Sequence, residues 1–153
     1  VFKTLEQNYK NAKHFNTYKN TIFDIFRMKD FCDMNITFIK FVLKEFEITS
    51  EIFLMSEMKD ISGKKSELLI NIGNSLGANI YLSGNGAKSY NDDAEFEKNN
   101  ISIKYQKFDH PEYSQLYPPF SAYLSVLDLL FNEGSNGKFF LKNQKLTTPP
   151  NMG

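Results

Sequence analysis

Three short segments hold most of the residues in this chain that could perform chemistry. They are Ser56-Glu57, the stretch from Ser83-Gly-Asn-Gly86 to Tyr90, and His110-Pro-Glu-Tyr113 with the nearby Gln115. Each segment places small, polar or ring-bearing side chains directly after an apolar stretch of strand length. Ligands of parallel α/β sheets bind beyond the carboxyl ends of the strands. The pattern therefore predicts one ligand site, built from three loops at a single sheet edge.

The turn Ser83-Gly-Asn-Gly86 has the composition of an anion-binding loop. Gly84 and Gly86 can present backbone N–H groups to an oxyanion or a phosphate oxygen without obstruction by a Cβ atom. No Gly-Lys-Ser/Thr follows, which excludes a P-loop, and Ser89 stands where a dinucleotide motif has its third glycine. The same residues are also typical of an ordinary tight turn with positive φ angles, and both interpretations stay open.

His110 is the candidate catalytic residue. Histidine titrates near neutral pH and can serve as a general base. Together with Tyr113 and Gln115 it forms a polar, ring-rich loop suited to packing against a sugar or nucleotide. A structural histidine bonded to a carbonyl fits the sequence as well. We expect no metal site, because His14 and His110 are not at ligand spacing and no cluster of Cys or carboxylates joins them.

Three further positions have both a binding and a structural interpretation. Ser56 and Glu57 precede a predicted helix and could form a small anion site, or Ser56 could serve only as a cap. Asn11 could reach a ligand or simply end a helix. Asp128 interrupts an apolar helix, and the spacing Ser125-x-x-Asp128 fits a capping box that would start this helix at Val126.

The elements that must position these residues follow from hydrophobic periodicity. Apolar residues at helical spacing predict helices over residues 1–47, and from Ile48 the pattern changes to alternating strands and helices. We place parallel strands near Ile52, Ile80 and Ile103, and a possible edge strand at Phe139–Leu141. The predicted fold is α/β, a Rossmann-like three-layer parallel sheet with an N-terminal helical segment. Residues 1–146 form a single domain and 147–153 a tail.

Helical spacing also predicts which side chains form the core. The apolar face of the helix after the first predicted strand consists of Leu68, Leu69, Ile72 and Leu76, and Gly77 ends that helix. On the last helix we expect Leu127 and Phe131 to be buried.

Composition limits the possible partners and compartment. Eighteen basic and eighteen acidic residues cancel, and Arg27 is the only arginine, so no field or set of guanidinium groups favours nucleic acid. No apolar run is long enough for a membrane helix, and we expect no membrane insertion. Cys32 is the single cysteine, which fits a reducing compartment, and we predict a cytoplasmic protein.

Four blocks of the chain resemble the WbqC-like family of bacterial surface-polysaccharide clusters. They are Tyr9-Lys-Asn-Ala-Lys-His-Phe15, Tyr81 to Tyr90, Phe108 to Gln115, and Leu124 to Gly134. The resemblance implies a Rossmann-like enzyme of O-antigen or other glycan assembly, with glycyl or other acyl transfer to an amino sugar as its suggested activity. A Gln-Pro-x-Tyr-Phe-Pro-type motif of the family's first strand is missing. With Val1 as the first residue, this absence suggests the C-terminal part of a longer WbqC-like protein.

The functional prediction is a transferase that acts on a small molecule, with a nucleotide-linked amino sugar as the expected substrate. His110 would be catalytic. Substrate would be bound by Asn11, Ser56, Glu57, Ser83, Gly84, Gly86, Tyr90, Tyr113 and Gln115. The sequence does not identify a cofactor. Two alternatives remain, a nucleotide-dependent transferase of sugar metabolism and a non-catalytic glycan-assembly or interaction module.

Overall fold

The structure, a computed structural model, describes residues 1–141 and, for the backbone alone, residues 145–147. Two compact units make up the chain. The helical unit comprises Val1–Ser50 and the segment from His110 to the last helix. The sheet unit comprises Glu51–Asp109 together with the final strand.

Five α-helices form the helical unit. They are α1 (Phe2–Tyr9), α2 (Phe15–Ile25), α3 (Phe31–Glu45), α6 (Val126–Glu133) and α7 (Gly137–Leu141). The predicted helical periodicity of the first 47 residues is confirmed. Asp30 caps α3 because its Oδ1 accepts a 2.8 Å hydrogen bond from the Asp33 backbone N–H.

The core of the helical unit lies between α2 and α6. Its fully buried side chains include Phe15, Ile22, Leu130 and Phe131, and Phe46 closes it from the end of α3. Leu127 and Phe131 are buried as expected. Helix α6 buries six consecutive residues from Leu127 to Asn132, so its polar residues are enclosed together with its apolar ones.

A three-stranded sheet and two helices form the sheet unit. Strands β1 (Ile80–Gly84) and β2 (Ser102–Lys107) are parallel, with Tyr81 paired to Ile103. Strand β3 (Lys145–Thr147) pairs antiparallel with β2. Helices α4 (Lys65–Ser75) and α5 (Asp93–Lys98) precede and follow β1. The predicted parallel strands near Ile80 and Ile103 are therefore confirmed.

The buried face of α4 differs from the predicted one. Ser66 and Ile70 are its buried residues, whereas Leu68, Leu69 and Ile72 are half-buried and Leu76 is 43% exposed. Ile70 belongs to a core with Phe96, Ile101, Ile103 and Tyr105. Because α4 carries apolar residues on more than one face, helical spacing alone could not select the face that meets the sheet.

Two predicted strands are wrong. Residues 51–54 have no regular structure, and the Leu54 carbonyl accepts from Glu57 N–H to close a short 3₁₀ turn at Met55–Glu57. The run around Ile52 is apolar, but a strand also needs a neighbour for its backbone hydrogen bonds, and half of the Phe53 side chain is exposed. The predicted edge strand Phe139–Leu141 lies within helix α7.

The chain thus mixes helices with a small sheet that contains one parallel strand pair. The Rossmann-like three-layer arrangement remains a prediction, since the expected parallel strand at Ile52 is replaced by irregular chain and β3 runs antiparallel. The single domain over 1–146 also stays a prediction. Apart from Thr147, the predicted tail lies outside the described residues. Among the helices that the structure describes, none has the length and apolar character needed to cross a membrane.

Candidate functional site

A buried carboxylate at the start of α6 is the centre of the most structured polar cluster in the helical unit. Helix α6 begins at Val126, as predicted, with Ser125 Oγ accepting from the Leu127 backbone N–H. Asp128 lies in the first turn and is only 4% exposed. Leu127, Leu129 and Leu130 around it are buried. Asp128 is therefore enclosed in a largely apolar environment, where a carboxylate needs hydrogen-bond donors.

Neutral side chains supply those donors. The Tyr113 hydroxyl donates to Asp128 Oδ2 at 2.8 Å, and Gln115 Nε2 donates to the same oxygen at 2.9 Å. The Tyr9 hydroxyl also hydrogen-bonds to Asp128. None of the ion pairs between described residues includes Asp128. The capping-box interpretation of Asp128 is therefore replaced by a buried network of two tyrosines, one glutamine and one carboxylate, which we call the Asp128 cluster.

The cluster holds both tyrosines in their neutral form. Burial, followed by hydrogen bonding to Asp128, raises the pKa of Tyr113 to about 12. Burial and the nearby Asp128 charge raise the pKa of Tyr9 well above its usual range. Both hydroxyls therefore remain hydrogen-bond donors at neutral pH.

A pocket of about 310 Å³ opens onto this cluster, and we call it the proline pocket. It is lined by Asn8, Tyr9, Gln115, Leu116, Tyr117, Pro118, Pro119, Ser121, Leu124 and Asp128. Among these described lining residues, Asp128 alone carries a charge. The Gln115 side chain also bonds to the Ser121 backbone: its Nε2 donates to the carbonyl at 2.9 Å and its Oε1 accepts from the N–H at 2.7 Å, which fixes the loop around the prolines. The volume is near the lower end of the range for small-molecule sites.

A second pocket of about 390 Å³ lies in the same unit, and we call it the asparagine pocket. It is lined by Asn11, Ala12, Lys13, Ser114, Gln115, Leu116, Asn132 and Glu133. The predicted ligand residue Asn11 is exposed in this pocket. Glu133 Oε1 accepts from the Ser114 backbone N–H at 3.2 Å, which joins α6 to the loop between the two pockets.

His110 lies next to the Asp128 cluster in a group of aromatic rings. Its ring centroid is 6.2 Å from that of Tyr113, 5.7 Å from Phe120 and 5.1 Å from Tyr123. His110 Nδ1 lies 2.9 Å from the Pro111 carbonyl oxygen. The half-buried imidazole is thus separated from Asp128 by the Tyr113 ring, and it is not among the residues lining the proline pocket.

The glycine turn belongs to the sheet unit and follows β1. Gly84 has φ of −68°, and Asn85–Ala87 form a 3₁₀ turn. Positive φ angles in the described chain fall elsewhere, and a Cβ added to Gly84 or Gly86 would meet no atom within 4 Å. The tight-turn interpretation with positive φ is therefore wrong, and neither glycine is required by the local backbone.

A polar network lies at the end of β1. Ser83 is buried, and its Oγ accepts from Asn91 Nδ2 at 3.1 Å. The Tyr105 hydroxyl donates to Asp93 Oδ1 at 2.6 Å, and the Lys88 ammonium lies 5.7 Å from the centroid of the Tyr105 ring. Burial, followed by the hydrogen bond to Asp93, raises the pKa of Tyr105. Ser83 thus has a structural role, because it is buried and hydrogen-bonded to Asn91. Tyr90 is 80% exposed.

Ser56 and Glu57 do not follow a strand. Both are exposed in the 3₁₀ turn at Met55–Glu57. Their predicted place at the carboxyl end of a first parallel strand is wrong, because that strand is absent. Whether they bind substrate stays a prediction.

The structure brings Tyr113 and Gln115 together on Asp128, and Asn11 into the neighbouring pocket. Ser83, Gly84, Gly86 and Tyr90 lie together in the other unit. The prediction that both groups of loops line one cleft stays a prediction, since the two groups belong to separate compact units. Within the described residues, no group of three or more His, Cys, Asp or Glu side chains has the arrangement of a metal site.

Sequence reasoning missed Asp128 and Tyr9 as members of the site. The signal for Asp128 was a single charge inside an apolar helix, which has to be either solvated or paired. A capping box explains such a charge by a local contact, whereas the partners of Asp128 lie in other segments of the chain. Tyr9 was named only as the first residue of a block that resembles the family, because its contact with Asp128, 119 positions away (128 − 9), leaves no local signal.

Comparison with known proteins agrees with the resemblance of the four sequence blocks. The sequence model of the WbqC-like protein family matches residues 1–138. An uncharacterized protein of Mycobacterium tuberculosis (strain ATCC 25618 / H37Rv), Rv1507c, is 26% identical over 145 residues, which are 92% of this chain and 62% of that protein. The chain therefore spans less than two thirds of the length of this relative. No solved structure matches the chain. The chain belongs to the WbqC-like protein family.

Proposed function

We propose that this chain carries the acceptor site of a transferase that acylates or aminoacylates an amino sugar during bacterial surface-polysaccharide assembly. The observation that supports it is the buried Asp128 carboxylate at an otherwise uncharged pocket. The pathway, of O-antigen type, and the cytoplasmic setting come from the family resemblance and the composition. They are part of the same proposal.

The proline pocket has the chemistry of a sugar site. Tyr9 and Tyr117 offer ring faces, and Pro118 and Pro119 offer flat apolar surface for the C–H face of a sugar ring. Asn8 and Ser121 add groups that can hydrogen-bond to hydroxyls. The neutral tyrosine and glutamine donors leave the negative charge of Asp128 uncompensated by a cation, so a protonated amine on the sugar is the complementary group.

Acyl transfer to that amine removes two protons from its nitrogen. The ammonium first gives one proton to a base, and the free amine nitrogen then bonds to the carbonyl carbon of an activated acyl or aminoacyl ester. As the tetrahedral intermediate collapses, the leaving group departs with the electron pair of its broken bond to carbon and takes up the second proton from the nitrogen. His110 is the proposed base because imidazole is the side chain that most often transfers protons in catalysis and because it neighbours Tyr113 of the Asp128 cluster. Backbone N–H groups are the usual stabilisers of the tetrahedral oxyanion.

Binding measurements test the acceptor site directly. Calorimetric titration of the full protein should show that glucosamine binds and that glucose, which lacks the ammonium group, binds at least roughly tenfold more weakly. Asp128→Asn should remove this difference, while the exposed control Asp33→Asn should keep it. Equal binding of the two sugars by the unaltered protein would refute an ammonium site at Asp128.

Turnover tests the proposed base. With an acyl donor identified, His110→Ala should lower kcat by ~10²–10⁴ and leave glucosamine binding intact. His14→Ala is the comparison, since it alters the other histidine. Unchanged turnover by His110→Ala would place the base elsewhere.

Nucleotide-dependent transfer is the second candidate, and the glycine turn favours it. Neither Gly84 nor Gly86 has a positive φ, and no atom lies within 4 Å of where a Cβ atom would stand on either residue. The turn therefore has open space in which a phosphate could approach the backbone. Saturable binding of a nucleoside triphosphate that Gly86→Val abolishes would support this candidate. A non-catalytic glycan-binding module would bind glucosamine yet show no turnover with any donor.

A further inference from the structure

We infer that the proline pocket and the asparagine pocket are two subsites of one groove, and that the acceptor is an oligosaccharide rather than a single sugar. This inference rests on the proposed function, because it assigns the terminal amino sugar to the proline pocket. The asparagine pocket would then hold the next, uncharged sugar residue.

Three separate chain segments line both pockets in a matching order. The N-terminal segment contributes Asn8 and Tyr9 to the proline pocket and Asn11 to Lys13 to the asparagine pocket. Helix α6 contributes Asp128 to the first pocket and Asn132 to the second. The 114–116 loop separates them, with Gln115 and Leu116 lining both. The two pockets therefore lie side by side, with Gln115 and Leu116 as their shared wall, and this adjacency is the basis for the inference that they act as one groove.

The spacing along α6 suits the step from one sugar to the next. Asp128 and Asn132 are four residues apart, which corresponds to ~6 Å along a helix axis. Asn132 Nδ2 donates to the Asp128 backbone carbonyl at 2.8 Å, so the two positions are fixed relative to each other. The dividing wall is equally fixed, because the Gln115 carboxamide is bonded to Ser121 and Asp128.

The chemistry of the asparagine pocket matches sugar hydroxyls better than a phosphate. Asn11, Asn132 and Ser114 provide uncharged donors and acceptors. Lys13 and Glu133 contribute one positive and one negative charge, so the pocket has no net positive field to attract a phosphate. Both charged side chains can bond to neutral hydroxyls, as donor and acceptor respectively.

Titration of the full chain with glucosamine and with a disaccharide in which glucosamine is β-linked to glucose tests the groove. The disaccharide should bind at least roughly tenfold more tightly, the gain from one or two additional hydrogen bonds. Asn11→Ala and Lys13→Ala, both at exposed positions, should each reduce that gain and leave glucosamine binding unchanged. Asn16→Ala and Lys10→Ala, exposed positions that do not line either pocket, are the matched controls and should change neither affinity.

Each other outcome contradicts the second subsite in a distinguishable way. If glucosamine binds but the disaccharide gains nothing, the second subsite is wrong and the proposed function stands. If glucosamine 6-phosphate shows a gain that depends on Lys13 and the disaccharide does not, the asparagine pocket is a phosphate site instead. If neither sugar binds, the acceptor site of the proposed function fails together with this inference.

Discussion

The Tyr113 hydroxyl and the Asp128 carboxylate, 15 positions apart in sequence, are joined by a 2.8 Å hydrogen bond inside the helical unit. This bond ties the loop that carries His110 and Gln115 to the first turn of α6. The bond also gives the Asp128 carboxylate, which lies in an otherwise apolar helix, a fixed hydrogen-bond donor. The stability of that loop and the binding chemistry proposed above therefore depend on the same carboxylate.

We expect Asp128→Ala to destabilise the protein by ~2–5 kcal/mol, because it leaves the Tyr113 and Gln115 donors without their acceptor in a buried place. Tyr113→Phe should cost less, ~1.5–3 kcal/mol, since it removes a single hydrogen bond to a charged group. Urea unfolding of each variant gives these free energies. The exposed Tyr117→Phe is the control and should change stability by less than ~0.5 kcal/mol.

The double variant Tyr113→Phe/Asp128→Ala measures the interaction itself. Because the two side chains share one hydrogen bond, their effects should be non-additive by ~0.5–3 kcal/mol. Simple additivity would mean that the 2.8 Å contact contributes nothing to stability.

The raised tyrosine pKa values predict a loss of stability at alkaline pH. A tyrosine of the unfolded chain loses its proton near pH 10, whereas folded Tyr113 keeps it to about pH 12. Over this interval the folded state binds more protons than the unfolded state, so the free energy of unfolding falls as pH rises. Below about pH 10 both states hold the proton and the contribution is fully present.

Urea unfolding at a series of pH values from 9 to 12 would measure this slope. Tyr113→Phe should make the slope shallower, and Tyr117→Phe, a substitution at an exposed position, should make little difference. An unchanged slope in Tyr113→Phe would show that Tyr113 ionises as readily in the folded protein as in the unfolded chain.

The parts of the fold that sequence could predict are those set by local periodicity. The amphipathic stripe of α2, the capped start of α6 at Ser125 and the parallel pair around Ile80 and Ile103 all follow from residues within one element. Ile52 failed because an apolar run specifies burial and β propensity but not whether another strand is available to pair with it. The predicted edge strand at Phe139–Leu141 failed for a different reason. A run of three apolar residues is too short to show either a helical or a strand period.

The candidate site follows the same rule: residues recognisable within one loop were predicted, and contacts between segments distant in sequence were not. Tyr113 and Gln115 were predicted from their own loop, and the structure places both on one carboxylate. The identity of that carboxylate depended on a contact between separate segments, which neither spacing nor propensity encodes. The glycine turn was identified by composition, and its backbone angles exclude a turn with positive φ, whereas anion binding there stays a prediction.

The face of α4 that is buried in the structure differs from the face predicted by helical spacing. The two faces predict different losses of stability on substitution. Ile70→Ala should cost ~2–5 kcal/mol, because Ile70 is 3% exposed and packs with Phe96 and Ile101. Leu76→Ala should cost much less, since 43% of Leu76 is exposed at the end of the helix. Urea unfolding of both variants checks this order. A larger loss of stability for Leu76→Ala would show that the buried face of α4 is the one predicted from the sequence pattern.

Glycine substitutions in the sheet unit separate folding from binding. Gly86→Ala should leave stability within ~0.5 kcal/mol, because its new Cβ meets open space. Gly73→Ala is the contrasting variant, since its Cβ would lie 2.9 Å from Ile101 Cδ1 in the core and should destabilise by ~1–3 kcal/mol. Thermal or urea unfolding gives both values. Strong destabilisation by Gly86→Ala would mean that the turn needs glycine for folding after all.

Gly134 at the end of α6 should be far less replaceable than Gly77 after α4. Both have positive φ, +60° and +64°, but a Cβ on Gly134 would lie 2.8 Å from His14 Nδ1, whereas one on Gly77 meets nothing within 4 Å. Gly134 also has ψ of −143°, a region that side chains strongly disfavour. We expect Gly134→Ala to cost ~2–6 kcal/mol, from backbone strain and overpacking together. Gly77→Ala should cost ~1–2 kcal/mol from strain alone.

The His14→Ala background separates the two contributions at Gly134. Removing the imidazole opens the space that the new Cβ needs, and it breaks no hydrogen bond at Nε2, which is buried and has no hydrogen-bond partner among the described residues. Gly134→Ala should therefore cost less in His14→Ala than in the unaltered protein, and the remaining cost should approach that of Gly77→Ala. Urea unfolding of the four variants measures this coupling. An equal cost in both backgrounds would show that strain at Gly134, and not contact with His14, excludes a side chain there.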